Sequence, residues 1–563
     1  MKKTIDCLLI GQNQVPFADY EKNVREMGIH SGAYRDLDKN TLRYQNRLYS
    51  GANMFNLFCC ADTDKNIKPI KPVETFSAAI AYLGTYLHRR GFTFDYINDF
   101  QAQKKDLAWK LEHENILTAA VTTTLYVAIF PLLEVIGFIR QHNPQVKIIV
   151  GGPFISTKVR SLDNHELGYL FNSLDADFYV NSSQGEAALV NIIQALKNKL
   201  PVTGIKNIYY RENGKNKYLP GPMERENNSL AENMVDWSLF GTDVGEFVNV
   251  RTGISCPFSC SFCGFPQHAG TYQTAPVEAI EEELNRLDKI QTVKSITFVD
   301  DTFNIPVKRF KEILRMLVKN RFRFCWNSFF RCQYADLEMV ELMKESGVES
   351  VFLGLESGSN QILKNMNKEA SVEQFLRGME LLNRFDITTF GNFIIGFPGE
   401  NEETARATID FIKNSSLDFY RAQLWYCELI TPIWQQRELY DLKGESFEWS
   451  HKTMNASRAC DIIEELIKEV RSHTHPTRLI QYYFDYDNVM QLTYKGLTLA
   501  QVKQFLQAFD SGVRQKIMNP AQREISFDII KQIKSIGNEE CSAMLSFNEP
   551  VNAIDEAEAA LDF

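Results

Sequence analysis

The chain has 563 residues, of which 44% are hydrophobic and 23% are charged, and its formal net charge is -10. This length predicts about three or four domain-sized units with ordinary hydrophobic cores. The acidic balance and the lack of a Lys/Arg-rich tract disfavour tRNA or DNA as a partner, because phosphate binding needs a basic surface.

The sequence gives little sign of export or of a membrane span. The apolar run at residues 7–10 is too short for the core of a signal peptide. Residues 116–139 are long enough to cross a bilayer, but Pro131, Glu134 and three consecutive threonines suit a buried strand, a turn and a helix better. We therefore expect a soluble, cytoplasmic protein without a membrane partner.

Residues 1–220 alternate strand-like and helix-like segments, which predicts a Rossmann-like α/β domain with a parallel sheet. The predicted strands are 6–11, 92–98, 116–121, 146–152 and 176–182, and the predicted helices are 74–91, a segment ending near 141, and 184–198. Ligands bind at the carboxyl ends of the strands in such sheets. The candidate binding loops are therefore NQ (13–14), TTTLY (122–126), GGPFIST (151–157) and SSQGE (182–186).

A linker is predicted at residues 221–244, followed by a second βα series at 245–440. Its predicted strands are FVNVRTGIS (247–255), 295–301, 324–330, 350–359, 388–400 and 418–426. About six βα units in succession predict a partial (β/α)6 barrel of the TIM type. Residues 441–563 are mostly helical by periodicity, and the last fifteen, with five acids and no base, predict a solvated or disordered tail.

Three cysteines, Cys256, Cys260 and Cys263, lie within eight residues, CPFSCSFC. The other cysteines are scattered and are expected to be small buried hydrophobic residues. Thiolates in a cluster predict a soft metal site. A structural zinc needs four ligands, for which His268 is the only nearby candidate, whereas three thiolates leave one iron of a four-iron cubane open to an outside ligand. The count of three favours the iron–sulfur interpretation, and zinc, redox chemistry and plain packing stay as alternatives.

The CxxxCxxC pattern, with Phe262 before the last cysteine, resembles the radical S-adenosylmethionine (SAM) superfamily, in which the open iron chelates SAM. FVDDTFN (298–304), GLESGS (354–359) and NFIIGFPGE (392–400) follow in order at predicted strand ends, where barrel chemistry gathers. The resemblance implies a [4Fe–4S] cluster on Cys256, Cys260 and Cys263. It also implies SAM contacts from Asp300 and Asp301 (amino group), Arg331 (carboxylate), Glu356 and Ser357 (ribose), and Ile395 and Gly396 (adenine). The local alternatives are a helix cap at Asp300, a surface carboxylate at Glu356 and a solvated charge at Arg331.

The loops of the first domain resemble those of the cobalamin-binding domain that precedes the barrel in cobalamin-dependent radical SAM enzymes. The resemblance implies that the corrin is bound by Thr122, Thr123, Thr124, Gly151, Gly152, Gln184, Gly185 and Glu186. The alternative is a generic doubly wound domain with ordinary strand-end turns. DNHELG (163–168) fits the DxHxxG pattern of histidine-ligated cobalamin proteins, but it follows the wrong strand, so we do not assign His165 as a cobalt ligand.

Residues 1–440 as a whole resemble the cobalamin-dependent radical SAM enzymes, and among these they most resemble the PhpK-type P-methyltransferase subfamily. The stretches that carry this resemblance are SGAYRDL (31–37), 78–98, GGPFIST and DFYVNSSQGEA (177–187). The resemblance implies methyl transfer to an unactivated carbon or a phosphinate phosphorus of a natural-product-type small molecule or a carrier- or peptide-bound substrate. One SAM would supply the methyl group by way of cobalamin, a second would give the 5′-deoxyadenosyl radical, and a flavodoxin or ferredoxin would supply the electron. A non-methylating rearrangement or cyclisation is the alternative. A tRNA methylthiotransferase is disfavoured by the charge and by the lack of a second cysteine trio in residues 1–220.

Overall fold

The computed structural model describes residues 2–60, 67–71, 73–124, 126, 128–212, 217–471, 475–480 and 486–536. The predicted acidic tail and Cys541 lie outside these ranges. The chain divides into two compact units, residues 1–39 with 71–479 and residues 40–70 with 480–563. No helix within the described ranges combines the length and the apolar character that a bilayer span needs.

The strands are β1 Thr4–Gln12, β2 Thr41–Tyr44, β3 Arg47–Ser50, β4 Phe94–Asp99, β5 Asn115–Thr122, β6 Lys147–Gly151, β7 Phe178–Val180, β8 Ile208–Arg211, β9 Tyr218–Pro220, β10 Phe247–Val250, β11 Gly253–Ile254, β12 Gln273–Thr274, β13 Ser295–Phe298, β14 Cys325–Phe330, β15 Val348–Glu356, β16 Thr388–Ile395, β17 Phe419–Leu424, β18 Lys443–Glu445, β19 Glu448–His451, β20 Met454–Asn455 and β21 Thr477–Arg478.

The helices are α1 Phe17–Glu26, α2 Gly32–Asp38, α3 Gly51–Phe58, α4 Ala78–Arg89, α5 Lys104–His113, α6 Phe130–His142, α7 Pro153–Ser161, α8 Asn164–Leu174, α9 Glu186–Lys197, α10 Phe265–Ala269, α11 Val277–Asp288, α12 Val307–Asn320, α13 Leu337–Glu345, α14 Asn360–Asn365, α15 Val372–Arg384, α16 Glu402–Asn414, α17 Arg437–Tyr440, α18 Ala456–Glu469, α19 Tyr486–Thr493, α20 Leu499–Met518 and α21 Phe527–Ser535.

The first sheet of the larger unit has the order β4-β1-β5-β6-β7-β8-β9 among the described residues. The pairs from β4 to β7 are parallel, and β8 and β9 add antiparallel strands at one edge. Helices α5 to α8 cover one face through a continuous apolar core, while α4 and α9 pack on β1 outside that core. A sheet covered in this way explains why β1 is buried along almost its whole length. The predicted Rossmann-like fold is confirmed.

The second sheet has the order β10-β13-β14-β15-β16-β17-β21, and every described pair in it is parallel. Helices α11, α12, α13, α15 and α16 lie between successive strands. Consecutive strands are therefore neighbours, as in an open (β/α) barrel, and their carboxyl ends lie along one edge. The predicted partial barrel is confirmed, and the short seventh strand β21 is an addition that the sequence did not predict.

A small antiparallel sheet, β18-β19-β20, lies between β17 and α18 in sequence, and α18 itself packs on β16 and β17. Residues 441–479 stay in the larger unit, since β21 pairs with β17 and Trp449 Nε1 donates a hydrogen bond to the carbonyl of Trp425. The boundary that we predict at residue 440 therefore does not coincide with this division of the chain. The predicted helical character of the C-terminal region holds for α18 to α21.

The smaller unit combines the hairpin β2–β3 and helix α3 with helices α19 to α21. Its core is apolar and aromatic: Phe55 and Phe505 lie edge to face with ring centroids 5.3 Å apart, and Leu42, Val502 and Leu506 are buried. Treating residues 1–220 as one continuous domain missed this unit, because the helices that complete its core are more than 400 residues away in sequence.

Candidate active site

The cysteine loop connects β11 to α10 and is fixed by hydrogen bonds between Ser261 and backbone groups of neighbouring segments. The Ser261 N–H donates to the carbonyl of Met366 at 2.8 Å, and the Ser261 hydroxyl donates to the carbonyl of Asn365 at 2.7 Å. The Ile433 N–H donates to the carbonyl of Ser261 at 2.8 Å. The loop is therefore held against the segments that follow β15 and β17, at the carboxyl edge of the barrel sheet.

The three thiols of this loop have different neighbours. Cys256 Sγ lies 3.1 Å from Thr302 Oγ1, and Arg331 Nη2 donates to Cys260 Sγ at 3.2 Å. Burial raises the pKa of the Cys260 thiol, and the cations of Lys368 and Arg331 oppose that rise. Burial also raises the pKa of Cys263 to about 12. A soft cation that replaces the thiol protons fits these sheltered sulfurs.

The arrangement of the thiols bears on which metal group they suit. Within the described ranges, no three His, Cys, Asp or Glu side chains converge on one metal ion. His268, the candidate fourth zinc ligand, has its Nε2 atom 3.3 Å from Thr157 Oγ1 instead. A single zinc needs its ligands around one centre, whereas in a cubane each thiolate binds a different iron. The iron–sulfur interpretation rests on the set of three thiols that this loop presents.

Arg331, at the end of β14, is a buried part of the cysteine site rather than a solvated charge. Its side chain is 8% exposed, and the guanidinium carbon lies 3.5 Å from the ring centroid of Phe258. Its Nη1 atom donates to the carbonyl of Lys368 at 3.2 Å, in addition to the contact with Cys260. Whether Arg331 pairs with the SAM carboxylate, as the resemblance implies, stays a prediction.

Glu356, at the end of β15, forms a buried ion pair with Lys368. The Lys368 Nζ–Glu356 Oε1 distance is 2.9 Å, and the side chains are 6% and 8% exposed. Asn392 Nδ2 lies 3.4 Å from the other carboxylate oxygen, and Glu356 has a φ of +66° at a register shift in the strand pairing. A Cβ at Gly354 would lie 2.6 Å from Glu356 Oε1, so a larger residue there would displace the carboxylate of this pair. The surface alternative for Glu356 is excluded, and Lys368 had no motif to mark it in the sequence.

The paired aspartates after β13 have different surroundings. Asp300 is buried and accepts hydrogen bonds from the Thr252 N–H at 2.8 Å, from the Thr252 hydroxyl at 2.5 Å and from the Gly253 N–H. It therefore fixes the turn between β10 and β11 that leads into the cysteine loop, and it is not a helix cap. Asp301 is accessible, yet desolvation by the surrounding protein, together with the Asp300 carboxylate, raises its pKa to about 7.

Two further predicted SAM positions follow β15 and β16. Ser357 is fully buried with its Oγ atom 3.2 Å from Thr408 Oγ1, so its hydroxyl contacts α16. Gly396 has a φ of +94°, and a Cβ there would lie 2.3 Å from Trp449. The Gly396 N–H donates to the buried Glu400, whose pKa burial raises to about 8. The carbonyl of Ile395 accepts from the Trp425 N–H at 2.8 Å.

The strand ends of the first sheet bring the threonine and glycine loops together. The Thr123 N–H and hydroxyl both donate to the carbonyl of Gly151, at 2.9 and 3.0 Å, and the Thr122 hydroxyl lies 3.2 Å from the carbonyl of Gly11. Gly152 has a φ of +116°, and a Cβ there would lie 2.7 Å from Thr123 Oγ1. Glycine is therefore required by the turn and by the close approach. Thr124 is exposed next to this group.

The third loop, SSQGE, is covered by the segment that we expect to be only a linker. Glu226 accepts hydrogen bonds from the Gly185 N–H at 3.1 Å and from the Ala187 N–H at 2.7 Å, at the amino end of α9. The Asn228 N–H donates to Gln184 Oε1 at 2.6 Å, and Asn228 Nδ2 donates to Glu186 Oε2 at 3.2 Å. Sequence patterns gave no sign of these linker contacts.

The carboxyl edge of the first sheet meets the segment that follows the cysteine loop. Thr157, in the GGPFIST segment, contacts His268 on α10, and Gln273 Nε2 donates to Asn227 Oδ1 at 2.7 Å. In contrast, His165 is exposed in the first turn of α8, where Asp163 and Glu166 form a capping box. DNHELG therefore forms the start of α8.

Comparison with known proteins identifies the part of the chain that contains the cysteine loop and the barrel sheet. Residues 250–412 match the model of the radical SAM superfamily. This part of the chain is a radical SAM domain. The matched residues contain the cysteine loop and the carboxyl ends of β13 to β16, which form the barrel edge described above.

The similarity to two curated relatives extends beyond this domain. The uncharacterized methyltransferase PH0819 of Pyrococcus horikoshii is 28% identical over 315 residues, which are 55% of this chain and 66% of the relative. The anaerobic magnesium-protoporphyrin IX monomethyl ester cyclase of Rubrivivax gelatinosus is 23% identical over 452 residues, 76% of this chain and 78% of the relative. The chain thus spans just under two thirds of the length of the first of them.

Two solved structures share the fold. The radical SAM methyltransferase TsrM of Kitasatospora setae, with cobalamin and a [4Fe–4S] cluster bound, gives a TM-score of 0.60 at 18% identity and covers 80% of this chain and 98% of its own. The cobalamin-dependent radical SAM enzyme OxsB, with aqua-cobalamin bound, gives a TM-score of 0.60 at 14% identity and covers 100% of this chain and 81% of its own. The chain therefore shares the α/β fold of these two structures.

Proposed function

We propose that the chain is a cobalamin-dependent radical SAM methyltransferase. The observation that carries the proposal is the contact between the two halves of the larger unit. The GGPFIST segment at the strand ends of the Rossmann-like domain meets α10, directly after the cysteine loop, through the 3.3 Å contact between Thr157 and His268. A corrin held at the first edge would therefore border a cluster held at the second.

The chain's own residues have distinct tasks in this proposal. Cys256, Cys260 and Cys263 hold the cluster, and Arg331 and Lys368 lower the cost of negative charge at Cys260. Thr122 to Thr124 with Gly151 and Gly152 form the corrin cradle. When bound, the cluster with SAM supplies a 5′-deoxyadenosyl radical, and cobalamin supplies a methyl group for transfer. Asp301, whose pKa is raised to about 7, is the accessible carboxylate beside the cysteines and is a candidate contact for the SAM amino group.

The methyl acceptor belongs to the proposal as well. We propose a small molecule or a carrier- or peptide-bound substrate with an unactivated carbon or a phosphinate phosphorus as the acceptor. A flavodoxin or ferredoxin would be the one-electron donor. We also propose a cytoplasmic location, because an oxygen-labile cluster and unpaired thiols need a reducing compartment. The net charge of -10 supports a partner other than a nucleic acid.

A second candidate function is a radical cyclisation without methyl transfer. The similarity to the Rubrivivax gelatinosus cyclase, which covers more of both chains than the similarity to PH0819, favours this alternative. The co-product separates the two candidates. Methyl transfer forms S-adenosylhomocysteine together with 5′-deoxyadenosine, and cyclisation forms no S-adenosylhomocysteine.

The test is anaerobic reconstitution of the full chain with iron, sulfide and hydroxocobalamin, followed by metal analysis, visible and EPR spectra, and a SAM-product assay under reducing conditions. We expect about four irons and one cobalamin per chain. Cys260→Ala is expected to lose the cluster and keep cobalamin. Cys325→Ala, which changes a half-buried cysteine on β14 outside the loop, is the matched control and is expected to keep both.

Three results would count against the proposal. A full cluster in Cys260→Ala would refute the ligand assignment. Absence of cobalamin from the reconstituted protein would refute the cobalamin-dependent class. Failure to form 5′-deoxyadenosine from SAM with every substrate pool tried would refute radical SAM chemistry in this chain.

A further inference from the structure

One ring nitrogen of His268 has a hydrogen-bond partner among the described residues and the other has none. Its Nε2 atom lies 3.3 Å from Thr157 Oγ1. The Thr157 hydroxyl already donates its single proton to the carbonyl of Pro153 at 2.9 Å, so Thr157 Oγ1 must accept from His268. The proton of the neutral ring is therefore on Nε2, and Nδ1 carries a lone pair.

This lone pair is present at neutral pH. Burial, with a smaller contribution from the Arg160 cation, lowers the pKa of His268 to about 4. The imidazole is accordingly neutral in ordinary buffers. Nδ1 is an acceptor and not a donor, which restricts the groups that it can bind.

Nδ1 is also enclosed without a partner, and it is not alone. His268 Nδ1, Gln267 Oε1 and Ser156 Oγ are all buried and have no hydrogen-bond partner in the part of the chain that the structure describes. Ser156 is only 3% exposed. Gln267 and His268 lie on α10, Ser156 lies on α7, and these two helices are in contact. Buried polar atoms in folded proteins nearly always have a partner, and an unmade hydrogen bond is destabilising.

The position of these atoms indicates the partner. Ser156 lies beside Thr157 in the GGPFIST segment, which begins with the cradle residues Gly151 and Gly152, and α10 follows the cysteine loop. Two of the three atoms are acceptors as assigned, and the third is a hydroxyl that can also accept. The rim of cobalamin carries several carboxamide groups, whose N–H bonds are the donors that these three atoms lack.

We propose that His268, on the barrel side of the interface, accepts a hydrogen bond through Nδ1 from a carboxamide N–H of the corrin. This inference rests on the proposed cobalamin function and adds a specificity determinant from the radical SAM half of the chain. His268 is thus a cofactor-positioning residue that holds the corrin against the cluster side of the site.

The test is titration of the full chain with hydroxocobalamin, followed by visible absorbance, in the wild type and in single variants. His268→Ala is expected to raise Kd about 5–10-fold, the equivalent of one hydrogen bond of about 1–1.4 kcal/mol. His268→Asn places an amide oxygen close to the position of Nδ1 and is expected to stay within about 3-fold of the wild type. His165→Ala, on the exposed turn of α8, is the matched control and is expected to leave Kd unchanged.

A second ligand tests the chemistry of the donor. The heptamethyl ester of cobyrinic acid keeps the corrin ring but has no carboxamide N–H on its rim. The effect of His268→Ala is expected to disappear with this ester. Cluster content and the circular dichroism spectrum of each variant report whether the fold is retained.

The possible results separate this inference from the proposed function. Failure of the wild type to bind hydroxocobalamin contradicts the proposed function. Wild-type binding with an unchanged Kd in His268→Ala overturns the inference alone. An equal loss of affinity for the ester, or nitrogen hyperfine splitting from His268 in the EPR spectrum of the cobalt(II) form, also overturns it, because His268 would then not be binding a carboxamide.

Discussion

The buried ion pair between Glu356 and Lys368 gives the most direct test of how the cysteine site is held. Its atoms are 2.9 Å apart, and its side chains are only 8% and 6% exposed. The second Glu356 oxygen has a weak contact, 3.4 Å, with Asn392. We consider Lys368→Met, which keeps much of the side-chain volume and removes the charge.

The expected cost follows from what the substitution leaves behind. Without Lys368, Asn392 is the nearby donor that the described residues leave to the buried Glu356 carboxylate. Removing one partner of a buried pair destabilises a protein by about 3–5 kcal/mol, because the other charge is left uncompensated. Replacing both partners is much less costly, so we expect Lys368→Met/Glu356→Gln to recover at least about 2 kcal/mol of that loss.

The assay is urea unfolding of the apo-protein followed by tryptophan fluorescence, with the midpoint and slope recorded for each variant. The matched control is Lys443→Met, which breaks the exposed pair with Asp441, where the side chains are 70% and 57% exposed. It is expected to cost less than about 1 kcal/mol. A loss in Lys368→Met no larger than in Lys443→Met would refute the reasoning, and so would a double variant less stable than Lys368→Met.

Two further predictions concern Gly152 in the first domain and Glu283 on α11, which contacts the linker. Gly152→Ala is expected to cost about 1–3 kcal/mol and to weaken cobalamin binding, because φ is +116° and the new Cβ would lie 2.7 Å from Thr123 Oγ1. Gly168→Ala, in α8 with open space at its Cβ, is the control, and urea midpoints are expected to stay the same or rise. Burial raises the pKa of Glu283 from 4.5 to about 8, while Trp237 Nε1 donates to its Oε1 at 2.9 Å. The protonated Glu283 contributes stability that is fully present below about pH 4.5. As pH rises towards 8, the free energy of unfolding falls by about 1.4 kcal/mol per pH unit until this contribution is lost. Glu283→Gln is therefore expected to flatten the decline of the urea midpoint between pH 5 and 8, and parallel pH curves for the two proteins would contradict this.

Much of the architecture could be predicted because parallel βα units follow simple rules. Alternating strands and helices predict where strands end, and parallel strands end at one edge of the sheet. This rule predicts from the sequence alone that Cys256, Asp300 and Glu356 lie at one edge. The segment 40–70 was missed because it belongs with helices near the other end of the chain, and local patterns carry no information about such distant partners.

The partners of the motif residues were beyond prediction for a related reason. Lys368, Glu226 and Trp449 lie in loops or short strands without a recognisable motif, and they reach the site only through tertiary packing. A burial pattern predicts that a side chain is enclosed but not which atom it bonds. The surface alternative for Glu356 and the solvated alternative for Arg331 could therefore be excluded only from the structure.

These partners also change how the motif residues should be understood. Asp300, Arg331 and Glu356 each have hydrogen bonds or ion pairs to protein groups that fix the cysteine loop or its neighbours. Charged groups held in this way are preorganised, so binding a cofactor does not require them to be ordered first. Substituting such a residue would then disturb the cluster loop as well as any direct contact to SAM. Loss of SAM turnover in such a variant is evidence of direct contact only when the iron content and the cluster spectrum are unchanged.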